Sequence, residues 1–127
     1  MEQRAKPDPR SVLLVDDSAE IRHVLRVLFE NSGFKIVGEA DNGTGIIDLV
    51  LQSNPEFVIL DMRMPRVGGA EAARAIRESA PETRIIAFSA FLDEKPEWAD
   101  AFLNKDRINQ IPSLLRELTD GDGDPTA

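Results

Sequence analysis

The chain has 127 residues, 42% of them hydrophobic, no cysteine, and a net charge of −8 from 23 acids and 15 bases. That is the size of one ordinary domain with enough apolar residues for a core. The missing cysteines exclude disulfides, thiolate metal sites and a cysteine nucleophile. The acidic balance argues against direct nucleic-acid binding, which needs Lys and Arg to displace phosphate counterions.

The first ten residues, MEQRAKPDPR, are polar, carry two prolines and lack the apolar stretch of a secretion signal. They are expected to form a disordered arm (1–10). VLLV (12–15) is a short continuous apolar run, as in a strand buried on both faces. In the next segment, SAEIRHVLRVLFENSG, Ser18 can cap a helix, Glu20 suits its positive end, and Gly33 can close it. Ile21, Leu25 and Leu28 recur at helical spacing, which leaves Arg22, Arg26 and Glu30 outward and His23 solvated. KIVGEA (35–40) reads as a second strand and TGIIDLVLQS (44–53) as a helix ended before Pro55.

FVIL (57–60) reads as a third strand, GGAEAARAIRES (68–79) as a helix, RIIAFSA (84–90) as a fourth strand and AFL (101–103) as a fifth. IPSLLREL (111–118) reads as a last helix with Pro112 in its first turn. The tail 119–127 is acidic and is expected to be disordered; its DGDGD lacks the closing glutamate of a calcium loop. No apolar run approaches the ~20 residues that span a bilayer, so a cytoplasmic protein with no membrane partner is the default. Strands alternating with helices predict one α/β domain over 11–118, a doubly wound parallel sheet with helices on both faces.

In such a sheet, ligands bind beyond the carboxyl ends of the strands. Asp16 and Asp17 follow the first strand, Asp61 the third, Ser89 ends the fourth, and Lys105 follows the fifth. If the first and third strands are neighbours, these groups meet. Two carboxylates about 5 Å apart at an effective dielectric of about 20 repel by about 3 kcal/mol, so either a raised pKa or a cation must compensate. Oxygen ligands without histidine or cysteine favour a hard cation such as Mg²⁺. Lys105 and the Ser89 hydroxyl would complete a pocket for a phosphoryl group, and one carboxylate could be its acceptor.

VLLVDDSAEIR, FVILDMRMPRVGG, IIAFSA and AFLNKD together resemble the receiver domain of bacterial response regulators, in the right order and from Ser11 to about Leu118. The resemblance implies a five-stranded, flavodoxin-like sheet of order 2-1-3-4-5. It also implies a phosphorylation-dependent signalling module, not an enzyme. A histidine kinase or histidine phosphotransfer protein would give Asp61 a phosphoryl group, and an unidentified downstream protein would read it by contact. Asp16, Asp17, Asp61 and the backbone carbonyl of Arg63 would hold Mg²⁺. Ser89 and Lys105 would bind the phosphoryl group, and Ser89 and Phe102 would move together as the switch. Pro65 and Gly68–Gly69 match the loop after the acceptor.

The chain departs from the pattern between Ser89 and Lys105. Only FLDEKPEW (91–98) stands where receivers keep a whole helix, so this fourth helix is expected to be shortened or absent. Trp98 is expected to cover sheet left bare there. Asp106 replaces the proline that many receivers carry after the lysine; NKD resembles receivers that precede helix-turn-helix output domains, and two expectations stay open, a single-domain regulator acting by protein contact or a part of a longer protein. Arg63 and Phe91 are expected at the pocket mouth, slowing hydrolysis. Two alternatives stay open: a phosphate-independent receiver-like scaffold, and a Mg²⁺-dependent phosphohydrolase. The second needs a general acid two residues after the nucleophile, where this chain has Arg63.

Overall fold

Hydrophobic runs set the sheet, and polar ladders extend it. A computed structural model of the chain describes residues 6–64, 67–90 and 94–121. β1 (Asp8–Val15) lies between β2 (Lys35–Ala40) and β3 (Pro55–Asp61), and Ser11–Val15 are buried throughout. β4 (Arg84–Ser89) and β5 (Ala101–Asn104) complete a five-stranded parallel sheet of order β2-β1-β3-β4-β5. Both outer neighbours of β1 run in step with it, Val15 lying beside Ala40 and Leu60.

The first strand starts earlier than hydropathy indicates, so the expected arm loses residues 8–10. The Asp8 amide donates to the Asn54 carbonyl at 3.0 Å and the Arg10 amide to Glu56 Oε1 at 2.7 Å. Arg10 adopts φ 61° where the pairing with β3 shifts register, between Asp8 and Val12. These ties are polar and long-range, which is why an apolar pattern misses them.

Because the strands alternate sides, the core has two halves. On one face Val12, Leu14, Phe57, Ile59 and Phe88 meet Leu25 and Phe29 of α1 (Ala19–Glu30) and Ile111 and Leu115 of α4 (Ile111–Gly121). On the other, Leu13, Val15, Val58 and Leu60 meet Ile46 and Val50 of α2 (Ile46–Ser53) and Ala72, Ala73 and Ile76 of α3 (Gly69–Ser79). Ser18 caps α1 by accepting from the Ile21 amide, and Gly33 at φ 87° turns the chain out of it. α4 runs three residues past Leu118, so residues 119–121 of the expected tail are helical. A 3-10 helix over Lys105–Gln110, absent from the sequence expectation, precedes it.

Among the described residues no helix lies between β4 and β5. Residues 91–93, Phe91 included, lie outside them, as do Pro65, residues 1–5 and residues 122–127. The described segment before β5 is pinned to α3. Arg77 Nη2 donates to the Trp98 carbonyl at 2.9 Å and to Asp100 Oδ2 at 3.0 Å. Asp100 also pairs with β4, its amide donating to the Ile85 carbonyl and its Oδ2 accepting from the Ile85 amide, both at 2.8 Å. Trp98, half-buried, packs against the second half of the core, as expected of a residue covering bare sheet. No helix among the described residues is long and apolar enough to cross a membrane.

Candidate functional site

The parallel register brings the acid-bearing strand ends to one edge. Leu60 lies between Val15 and Ala87, and Asp61 lies beside Phe88, so Asp16, Asp61 and Ser89 follow in line. Asp16 is 1% exposed, Asp61 4% and Ser89 0%, while Asp17 is exposed. Carboxylate oxygens of Asp16, Asp17 and Asp61 lie within 4.8 Å of one another. The sequence predicted this meeting on the condition that the first and third strands adjoin, and they do.

Backbone groups hold the two buried acids in place. Asp16 Oδ1 accepts from the Ser18 amide at 2.9 Å, and Asp61 Oδ1 from the Arg63 amide at 3.1 Å. Lys105, directly after β5, turns its ammonium inward: Nζ stands 2.8 Å from Asp16 Oδ2 and 3.5 Å from Asp61 Oδ2. It also lies 5.6 Å from the centre of the buried Phe88 ring, where the π face favours a cation. Asn104 shapes this turn by accepting from the Asp106 amide at 3.0 Å, the physical use of the NKD triplet.

One ammonium does not balance three carboxylates. Burial raises the Asp61 carboxyl above its ordinary value; the Arg63 amide opposes this, Asp16 and Asp17 add to it, and Lys105 opposes it. Asp16 Oδ2 is buried and accepts no well-aligned hydrogen bond despite the nearby ammonium. A buried acceptor with spare capacity, beside two more carboxylates and no nitrogen or sulfur donor, suits a hard divalent cation with oxygen ligands.

Two further features frame the edge. A Cβ on Gly69 would stand 2.8 Å from the Asp61 carbonyl oxygen and from Met62 Cα, so only glycine lets α3 start this close to β3. Arg22, read from the sequence as an outward residue, instead folds back: Nη1 donates to the Asp16 carbonyl at 2.6 Å and Nε to Glu39 Oε1 at 3.0 Å. Helical spacing gives no sign of this, because the acceptors lie just past β1 and on β2. Phe102 is half-buried in β5, in register with Ala87; its neighbours Ala101 and Leu103 enter the α1/α4 side of the core. His23 is exposed, as the sequence indicates.

Comparison with known proteins agrees with this arrangement. The family model for the response regulator receiver domain matches residues 12–106. The chemotaxis protein CheY of Thermotoga maritima is 33% identical over 81 residues, 64% of this chain and 68% of that protein. A putative transcriptional regulator of Pseudomonas aeruginosa is 37% identical over 78 residues, 61% of this chain; the match spans 38% of that longer protein. Among solved structures, the T. maritima response regulator TrrA, in complex with Mg²⁺–BeF, superposes with a TM-score of 0.77 at 27% identity, covering 86% of this chain and 98% of that one. With its fold, its strand-end acids and its family match in agreement, the chain belongs to the receiver-domain family of two-component response regulators.

Proposed function

We propose that Asp61 accepts a phosphoryl group from a histidine kinase or a histidine phosphotransfer protein, with Mg²⁺ bound at the acid cluster. The reading is carried by one observation: three strand-end carboxylates within 4.8 Å of one another, with the Lys105 ammonium facing two of them. An Asp61 carboxylate oxygen bonds to phosphorus as the phosphorus–nitrogen bond of a phosphohistidine breaks, and the imidazole leaves with its electron pair and takes up a proton. Asp16, Asp17, Asp61 and the Arg63 carbonyl hold the cation. When bound, it offsets the negative charge of the acids and of the incoming phosphoryl oxygens. TrrA, a relative solved with Mg²⁺–BeF, supports this assignment.

Lys105 receives one phosphoryl oxygen and the Ser89 hydroxyl donates to another. Ser89 then draws inward and Phe102 follows, changing the β5 surface that a downstream protein reads by contact. The chain has no tyrosine, so this movement makes and breaks no phenolic hydrogen bond. The chemistry is confined to taking up and losing one phosphoryl group. Incubation with Mg²⁺ and a small phosphodonor, followed by intact mass, tests it. A phosphoryl adduct should form in the native chain, but not in Asp61→Asn or in the presence of EDTA. No adduct, with no response to Mg²⁺ and beryllofluoride, would end the proposal.

A further inference from the structure

We infer that Arg22 is a positioning residue for the cation site, and that Glu39 keeps its charge from repelling the cation. The inference rests on the reading above. Asp16 is held at three points: its amide donates to the Ala40 carbonyl at 3.0 Å, its Oδ1 accepts from the Ser18 amide, and its carbonyl accepts from Arg22 Nη1. That carbonyl lies in the peptide plane shared with Asp17. The plane's rotation sets the direction in which the Asp17 carboxylate leaves the backbone. Asp17 is exposed and lies two residues past the end of β1, so the arginine on α1 fixes its aim from outside the cluster.

A guanidinium so close to a cation site carries a cost, since its charge disfavours a second positive charge. Glu39, on β2, accepts from Arg22 Nε and also pairs with Arg26. Both arginines hold the Glu39 carboxyl below its ordinary value, Arg26 most of all, so it stays ionised at neutral pH. The arrangement keeps one N–H of Arg22 on the Asp16 carbonyl while another N–H of the same guanidinium draws its charge onto a carboxylate outside the cluster. A lysine could reach one acceptor or the other, but lacks the fixed fork that serves both.

Titration of the full chain with Mg²⁺, followed by the amide shifts of residues 16–18, tests the inference; circular dichroism confirms that each variant folds. Arg22→Ala should weaken Mg²⁺ binding about tenfold, the low end for groups that orient metal ligands, and the loss should persist in 0.5 M KCl. Arg22→Lys should recover only part of it. Glu39→Gln leaves the bond to the Asp16 carbonyl and uncovers the charge, so it should weaken binding at low salt and match the native chain at high salt. If the native chain binds Mg²⁺ and Arg22→Ala binds it equally well, the inference is overturned and the proposed function stands. If the native chain binds none, both fall. Should Arg22→Ala fail to fold, Arg22→Lys decides: an unchanged affinity overturns the inference.

Discussion

Lys105 Nζ stands 2.8 Å from Asp16 Oδ2, although their strands, β5 and β1, are separated in the sheet by β3 and β4. The lysine thus bridges the width of the acid edge, passing Asp61 at 3.5 Å on the way. Its side chain is 19% exposed and that of Asp16 2%, so the pair is shielded from bulk water and weakly screened by salt.

Replacing Lys105 by methionine removes the only ammonium paired with these acids among the described residues. Breaking a buried pair from one side costs about 3 kcal/mol, because the remaining charge stays buried and uncompensated. Urea unfolding in EDTA at about pH 7 should show a loss of that order. Adding Mg²⁺ should restore more stability to the variant than it adds to the native chain, since the cation supplies the missing charge. Equal increments in the two proteins would mean that the ammonium and the cation act independently.

Asp61 gives the site a pH dependence of defined sign. Burial, with Asp16 and Asp17 nearby, raises its carboxyl above the ordinary value against the pull of the Arg63 amide and Lys105. The folded chain therefore binds that proton more tightly than the unfolded one, and ionising Asp61 costs folding free energy. The cost is absent below the ordinary carboxylate value. It grows as pH rises through the raised folded value and is complete above it. Asp61→Asn should accordingly be more stable than the native chain near pH 7.5 in EDTA, with the difference vanishing near pH 3. In the native chain, 10 mM Mg²⁺ should add about 1.4 kcal/mol if it binds with a Kd near 1 mM. A native chain more stable than Asp61→Asn at neutral pH without Mg²⁺ would contradict this account.

The segment before β5, where no helix lies among the described residues, offers a test of what anchors it instead. Asp100 Oδ2 accepts from both the Ile85 amide and Arg77 Nη2. Asp100→Ala orphans the amide of the fully buried Ile85, which costs about 1–3 kcal/mol. Asp100→Asn keeps an acceptor and should lose less. Trp98 reports on the same event: its carbonyl is held by Arg77, and its ring lies against the α2/α3 side of the core. Its emission should shift to the red in Asp100→Ala, and an unshifted spectrum would mean that the indole is anchored by packing alone.

Most of the sheet and the acid edge was legible because both follow from local pattern. VLLV and FVIL are apolar runs that stop at an acid, and parallel register then lines up whatever follows each strand. The short stretch between Ser89 and Lys105 likewise announced a shortened or absent helix, and none lies there among the described residues. What escaped reading depends on polar bonds between residues remote in sequence. The pairing of Asp8 and Arg10 with Asn54 and Glu56, the Arg77–Asp100 tie, and the return of Arg22 onto the Asp16 carbonyl are all of this kind. Hydrophobic periodicity carries no information about them. It says which face of α1 is buried, but not that a long side chain on its flank folds back over the strand end.

Gly68 and Gly69 are adjacent, and the structure assigns them opposite tolerance. A Cβ at Gly68 meets nothing within 4 Å, and its φ of −77° suits any residue. Alanine there should be neutral or stabilise by up to about 1 kcal/mol, by restricting the unfolded chain. At Gly69 the added carbon would stand 2.8 Å from the Asp61 carbonyl oxygen and from Met62 Cα. Both obstacles are backbone and cannot swing aside, so α3 must withdraw from the end of β3, at a cost of about 1–3 kcal/mol. The displaced backbone is that of Asp61 itself. Gly69→Ala should therefore lose Mg²⁺-dependent stabilisation as well as basal stability, while Gly68→Ala keeps both. Urea midpoints with and without 10 mM Mg²⁺ separate the two. A Gly69→Ala variant with a native-sized Mg²⁺ increment would show that α3 yields without moving the acid.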